Sequence, residues 1–136
     1  QRPSQQKYYQ PLDTNDHPYF EQISELHVSS HLLIERNGSI IQFVPLNKKA
    51  WHAGISKFQG RENCNEFSIG IELEGTDNLD YTKNQYESLV EATKEIMKVY
   101  PAISKENIVG HSDIAPDRKT DPGDSFNWNL YLHNLV

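Results

Sequence analysis

The segment Gly110–Gly123, GHSDIAPDRKTDPG, crowds His111, Asp113, Asp117, Arg118, Lys119 and Asp121 between glycines and prolines. An imidazole and a carboxylate are donor types of a catalytic zinc site, which takes three protein ligands and keeps a fourth position open. His111 and Asp121 are the pair suited to that work, with Pro122 and Gly123 able to fix the turn that aims the carboxylate. Lys119, just before Asp121, can supply positive charge to the oxyanion formed when water attacks a carbonyl. The spacing alone is not specific: an acidic surface turn, with His111 hydrogen-bonded in a sheet, fits the same letters. Asp113 and Asp117 read as turn-forming residues. Arg118 has two readings, a partner for a substrate carboxylate or a surface cation.

A second carboxylate source lies upstream. In FSIGIELEG, Ile69, Ile71 and Leu73 alternate with Ser68, Gly70, Glu72 and Glu74, the pattern of a strand with one apolar face. Glu72 therefore stands opposite the apolar face. It is either a solvated residue on an open sheet face or, facing a cleft, a general base toward water. Glu74 shares that face and both options. In AWHAG, Trp51 and His52 are candidates to line the cleft, with Trp51 stacking on a sugar ring or packing as a core aromatic. His31 reads as a hydrogen-bonded structural histidine and Cys64 as a buried, unreactive thiol. His17, His27 and His133 have no partner pattern and read as structural or exposed.

Positioning these groups requires a scaffold. HPYFEQISEL, His17–Leu26, places Phe20, Ile23 and Leu26 on one helical face. SHLLIERNGSIIQFVP reads as a hairpin around Asn37-Gly38. TKNQYESLVEATKEIMKVY predicts the clearest helix: Thr82 and Gln85 resemble a capping box, Tyr86, Leu89, Val90, Thr93, Ile96, Met97 and Tyr100 keep helical spacing, and Pro101 ends it. NIVGH predicts a short buried strand delivering His111 to its end, and FNWNLYLHNLV a closing helix. Strands mixed with helices predict an α/β fold, one sheet covered by helices.

The 136 residues suit one domain with a single core. The net charge of −6 argues against a nucleic-acid partner. No stretch approaches the ~20 apolar residues needed to span a bilayer. The single cysteine excludes an internal disulfide and fits a reducing compartment. A monomer is expected.

HPYF, VSSHLLIERNGSIIQFVP, AWHAG, SKFQGRENCNEFSIGIELEGTD, YTKNQYESLV and GHSDIAPDRKTDPG occur in this order. Together they resemble the N-acetylmuramoyl-L-alanine amidase family related to peptidoglycan recognition proteins, most of all its cytoplasmic branch acting on 1,6-anhydro-N-acetylmuramyl peptides. The resemblance implies a single amidase domain over residues 1–136, a central mixed sheet flanked by helices, and a Zn2+ cofactor. It implies hydrolysis of the amide between the lactyl group of N-acetylmuramic acid and L-alanine, on muropeptides recycled into the cytoplasm. His111 and Asp121 map to zinc ligands, Lys119 to the catalytic lysine and Glu72 to the base. The family's first zinc ligand is a histidine ending an early strand, in a segment like VIHN. QRPS resembles the stretch before that segment and QQKYYQPLD the stretch after it, so the resemblance places the segment between Ser4 and Gln5, where this chain lacks it. A metal-poor relative that binds muropeptide without cutting it is the alternative.

Overall fold

Asn37-Gly38 reverses the chain, with Gly38 at φ 90°, a conformation that costs glycine little. It joins β1 (Leu32–Ile34) to β2 (Ile40–Gln42) in an antiparallel pair with Leu33 opposite Ile41. These features come from a computed structural model that describes residues 30–76 and 78–135. The expected helix over His17–Leu26, the residues His17 and His27, and the junction between Ser4 and Gln5 lie outside the described residues.

After β2 the chain makes a small separate hairpin, β3 (Lys57–Phe58) with β4 (Arg61–Glu62). It then returns as β5 (Ile71–Leu73), parallel to β1 with Leu33 beside Glu72, giving a mixed sheet in the order β2-β1-β5. Pairing in register puts alternate residues on opposite faces. Ile34, Ile40, Ile71 and Leu73 pack into the main core with Leu89, Phe126 and Tyr131. Leu33 and Ile41 join Phe43 in a separate cluster, and Glu72 shares their side of the sheet. The alternation in FSIGIELEG therefore sorts as its letters indicate, although the strand is short.

Helix α1 (Lys83–Val99) covers the core face, its start fixed by the Thr82–Gln85 capping box. Its buried residues are Gln85, Leu89, Thr93 and Ile96. Gln85 does more than cap: its Nε2 donates to the carbonyls of Ile34 (3.2 Å) and Glu74 (2.9 Å), pinning the helix to the ends of β1 and β5. The chain ends in a one-turn helix α2 (His111–Ile114) and the closing helix α3 (Trp128–His133). Phe126, between them, is ringed by Tyr81, Tyr86, Trp128 and Tyr131.

One expectation needs correction. NIVGH does not form a strand: residues 108–110 join no ladder, and His111 opens α2 instead. Among the described residues the sheet ends at β5, so no strand lies alongside this segment to pair with. Apolar letters alone do not make a ladder; a partner must supply the opposite hydrogen bonds.

Candidate active site

His111 sits at the first position of α2, directly after the extended Gly110. The backbone is tight here, because a Cβ on Gly110 would lie 2.6 Å from Pro122 Cδ. The loop that follows is tied back on itself. Ser112 N donates to Asp121 O (3.0 Å), Gly110 N to Asp113 Oδ2 (2.8 Å), and the Tyr81 hydroxyl to Pro122 O (2.7 Å). Asp113 thus has the turn-forming role its type suggests. These bonds bring the Asp121 carboxylate against the ring, with His111 Nδ1 and Asp121 Oδ2 2.5 Å apart. Glu72 reaches the same nitrogen from β5, its Oε2 3.9 Å away.

One donor atom from each of Glu72, His111 and Asp121 lies within 4.8 Å of the others. Among the described residues this is the group fit to hold a metal ion. One imidazole nitrogen and carboxylate oxygens are a donor set that zinc accepts. The His111 side chain is 10% exposed, while those of Glu72 and Asp121 are 40% and 41% exposed, so the cluster opens on one side. Burial pushes the Glu72 carboxyl above its ordinary range, the positive charge of His111 and Lys119 pulling back. Burial also lifts Asp121, but the hydrogen bond and charge of His111 outweigh it and hold that carboxyl low. Two carboxylates around one imidazole are thus driven apart, the pattern expected where one stays ionised and the other trades protons.

Lys119 is half-buried, and its charge acts on Glu72, Asp121 and His52. Its backbone N–H donates to Ala115 O (2.9 Å), which closes the turn after α2. Arg118 is turned elsewhere. One of its guanidinium nitrogens donates to the carbonyls of Ala53 (2.6 Å) and Ile55 (2.7 Å). It clamps the loop after AWHAG and stays exposed, as the surface-cation reading has it. Gly54 gives it room, since a Cβ there would lie 2.8 Å from Arg118 Nη2.

Trp51 is not a core aromatic: it is 49% exposed, with Lys49 Nζ 4.1 Å from its ring centroid. His52 borders the cavity that Glu72, His111 and Asp121 also border. It is buried, and both ring nitrogens are engaged, with His111 Nε2 (3.0 Å) and with Ser68 Oγ (2.9 Å). Burial, reinforced by the His111 charge, pushes its pKa down to about 3, so it is neutral. His31 is fully buried, holding the Lys48 carbonyl (2.6 Å) and the Gly70 N–H (3.0 Å), a structural histidine as read. Cys64 is buried and free. The residue that sequence reasoning missed is Ser68, whose only signal was its place on the Glu72 face of the alternating strand.

A mixed sheet under a helix thus gathers a histidine and two carboxylates at one end. The profile of the N-acetylmuramoyl-L-alanine amidase family matches residues 4–124, and the chain belongs to that family. It is 58% identical over 117 residues to the 1,6-anhydro-N-acetylmuramyl-L-alanine amidase AmpD of Escherichia coli, covering 86% of this chain and 63% of that protein. It is 57% identical over 124 residues to AmpD of Haemophilus influenzae, covering 91% of this chain and 67% of the relative. The chain thus spans roughly two thirds of the length of these relatives. Among solved structures, a selenomethionine derivative of AmpD superposes with a TM-score of 0.80 at 56% identity, over 91% of this chain and 69% of that one. The amidase AmiD of E. coli, solved with anhydro-N-acetylmuramic acid-L-Ala-D-γ-Glu-L-Lys, superposes with a TM-score of 0.77 at 34% identity, over 98% of this chain and 61% of that one. Among the described residues, no helix is long and apolar enough to cross a membrane.

Proposed function

We propose that the chain is a zinc-dependent amidase of peptidoglycan recycling. It cleaves the amide between the lactyl group of 1,6-anhydro-N-acetylmuramic acid and L-alanine in cytoplasmic muropeptides, acting as a monomer. The observation that carries this reading is the Glu72–His111–Asp121 cluster with the Lys119 charge beside it. Relatives named for this amidase activity support the substrate class.

His111 and Asp121 would hold the ion. When bound, zinc polarises the scissile carbonyl and makes water a better nucleophile at neutral pH. Glu72, its carboxyl raised by burial, takes a proton from the attacking water. The water oxygen bonds to the carbonyl carbon, and Lys119 opposes the negative charge that develops on the carbonyl oxygen. The carbon–nitrogen bond then breaks, and the proton held by Glu72 passes to the departing amine. The products are the lactyl carboxyl group, which releases its remaining proton to solvent, and the free α-amine of L-alanine. Trp51 is exposed and available to stack on the sugar ring. Arg118 and His52 are committed to the protein by their hydrogen bonds and act through the site's shape.

Residues 1–136 form one amidase domain on this reading, and a strand carrying the first zinc-binding histidine belongs between Ser4 and Gln5. Support comes from the flank of β5, the edge of the sheet among the described residues. A cavity of about 840 Å³ is bordered by Ile69, Ile71, Asn107 and Val109, at the flank of the sheet where a further strand would lie. Purified protein should contain zinc and release L-alanyl peptide from an anhydro-muropeptide. Zinc binding without release would leave a muropeptide binder. Inserting a strand-and-histidine segment between Ser4 and Gln5 should tighten zinc binding at least about tenfold, by analogy with the cost of losing a supporting contact.

A further inference from the structure

Behind His111 runs a hydrogen-bonded chain whose direction is fixed by its far end. The Cys64 carbonyl can only accept, so the Ser68 hydroxyl donates to it (2.5 Å). A hydroxyl has one proton, so Ser68 Oγ must accept from His52 Nε2, 2.9 Å away. A neutral imidazole carries one N–H, which leaves His52 Nδ1 as an acceptor. It lies 3.0 Å from His111 Nε2, which must therefore be the donor. The remaining nitrogen of His111, Nδ1, donates to Asp121 Oδ2 (2.5 Å), with Glu72 Oε2 3.9 Å away.

We propose that His52 is a positioning residue that, anchored by Ser68, keeps a proton on His111 Nε2, so that Nδ1, which now donates to Asp121, is the nitrogen left to give its lone pair to a metal ion that displaces that proton. The seat is built for it. A Cβ on Gly70 would lie 2.3 Å from His52 Cγ, so only glycine leaves space for the ring. Gly70 is itself held in place: its N–H donates to His31 Nδ1 (3.0 Å), and its carbonyl accepts from the His31 N–H (2.9 Å). The His52 and His111 rings lie end to end, with centroids 5.3 Å and planes 27° apart, so the bond fixes the plane as well as the tautomer. Partners that orient a ligating histidine through its second nitrogen raise metal affinity by about 10–100-fold.

This inference rests on reading His111 as a metal ligand, and two measurements separate the two. Nitrogen-15 spectra of the imidazoles in the metal-free protein should show the His52 proton on Nε2. A proton on Nδ1 would reverse the chain and overturn the proposal, whatever zinc does. Competition against a chelator, with zinc as the probe, should show His52→Phe binding about 10–100-fold more weakly than wild type. His52→Asn, whose amide oxygen can accept from His111 Nε2, should recover most of that loss. Equal zinc affinity in wild type, His52→Phe and His52→Asn would also overturn the proposal. If His52→Phe fails to fold, the wild-type spectrum and the Ser68→Ala affinity decide: Ser68→Ala should weaken zinc, and an unchanged affinity counts against the relay. A wild type that binds no zinc but shows the predicted tautomer would sink the metal reading and leave the relay standing.

Discussion

The two sides of the His111 ring are unlike. In front of it stand Asp121, Glu72 and Lys119, two carboxylates and an ammonium around an opening to solvent. Behind it stand His52, Ser68, Gly70 and His31, uncharged and mostly buried, every polar atom named above matched to a fixed partner. The front can hold charge because water and opposite charges surround it. The back is mostly buried, where an unpaired charge would cost several kcal/mol, and so it is made of neutral groups in a single hydrogen-bond order. Chemistry belongs to the first side and orientation to the second.

The largest effect should come from cutting the front at its ligands. His111→Ala or Asp121→Ala should abolish zinc binding, since a three-ligand site has no spare contact; metal content after dialysis checks this. Unchanged stoichiometry in Asp121→Ala would remove that carboxylate from the ligand set. Next come the two groups assigned to proton and charge. Glu72→Gln should keep its zinc and lose about 10²–10⁴-fold in turnover. Lys119→Ala should keep zinc and lose about 10²–10³-fold in kcat. Full activity in Glu72→Gln would shift the base role away from β5.

The back should respond in stability rather than turnover. Gly70→Ala forces a methyl into the His52 ring, and overpacking of this kind costs about 1–3 kcal/mol, readable as a lower urea midpoint. The smallest effect is on pH dependence. The folded-state pKa of His52, about 3, lies below its unfolded value near 6.5. The unfolded chain therefore binds the extra proton first, and stability contributed by neutral His52 is present above pH 6.5 and lost as pH falls toward 3. The loss is at most about 1.4 kcal/mol per pH unit for this one group. His31 is shifted in the same direction, while Glu72, shifted upward, opposes it. Comparing wild type with His52→Asn isolates the histidine: the slope between pH 6.5 and 4 should be shallower in the variant, and parallel curves would show that His52 does not titrate as a buried neutral group.

The contrast also marks what the letters could disclose. Thr82 and Gln85, Asn37-Gly38 and the alternation from Ile69 to Leu73 act on near neighbours, so the helix start, the hairpin and the face of Glu72 were legible. The charged front was legible for a related reason, since His111, Lys119 and Asp121 share one loop. His52 was seen as a candidate, but its place behind His111 depends on Ser68 and on the missing side chain of Gly70, both distant in sequence. The β3–β4 hairpin escaped because its turn uses Gln59 at φ 50° before Gly60, where Asn or Asp is the usual signal. NIVGH misled because its apolar letters say nothing of a pairing partner. Gln85 was read as a cap, and its reach to the sheet is a tertiary fact.

The Arg118 clamp has a consequence in time. Its partners, the carbonyls of Ala53 and Ile55, lie 65 and 63 residues upstream, and α1 falls between the two halves. A helix can form within about a microsecond from neighbouring residues, whereas contacts this remote wait for the chain to close a long loop. During synthesis, which runs from the N-terminus, the ribosome releases His52, Ser68 and Glu72 well before it releases His111. A nascent chain therefore carries a seat for His111 before it has a His111 to seat, and the centre is completed only when the loop ending at Asp121 has emerged and Arg118 has latched back across it.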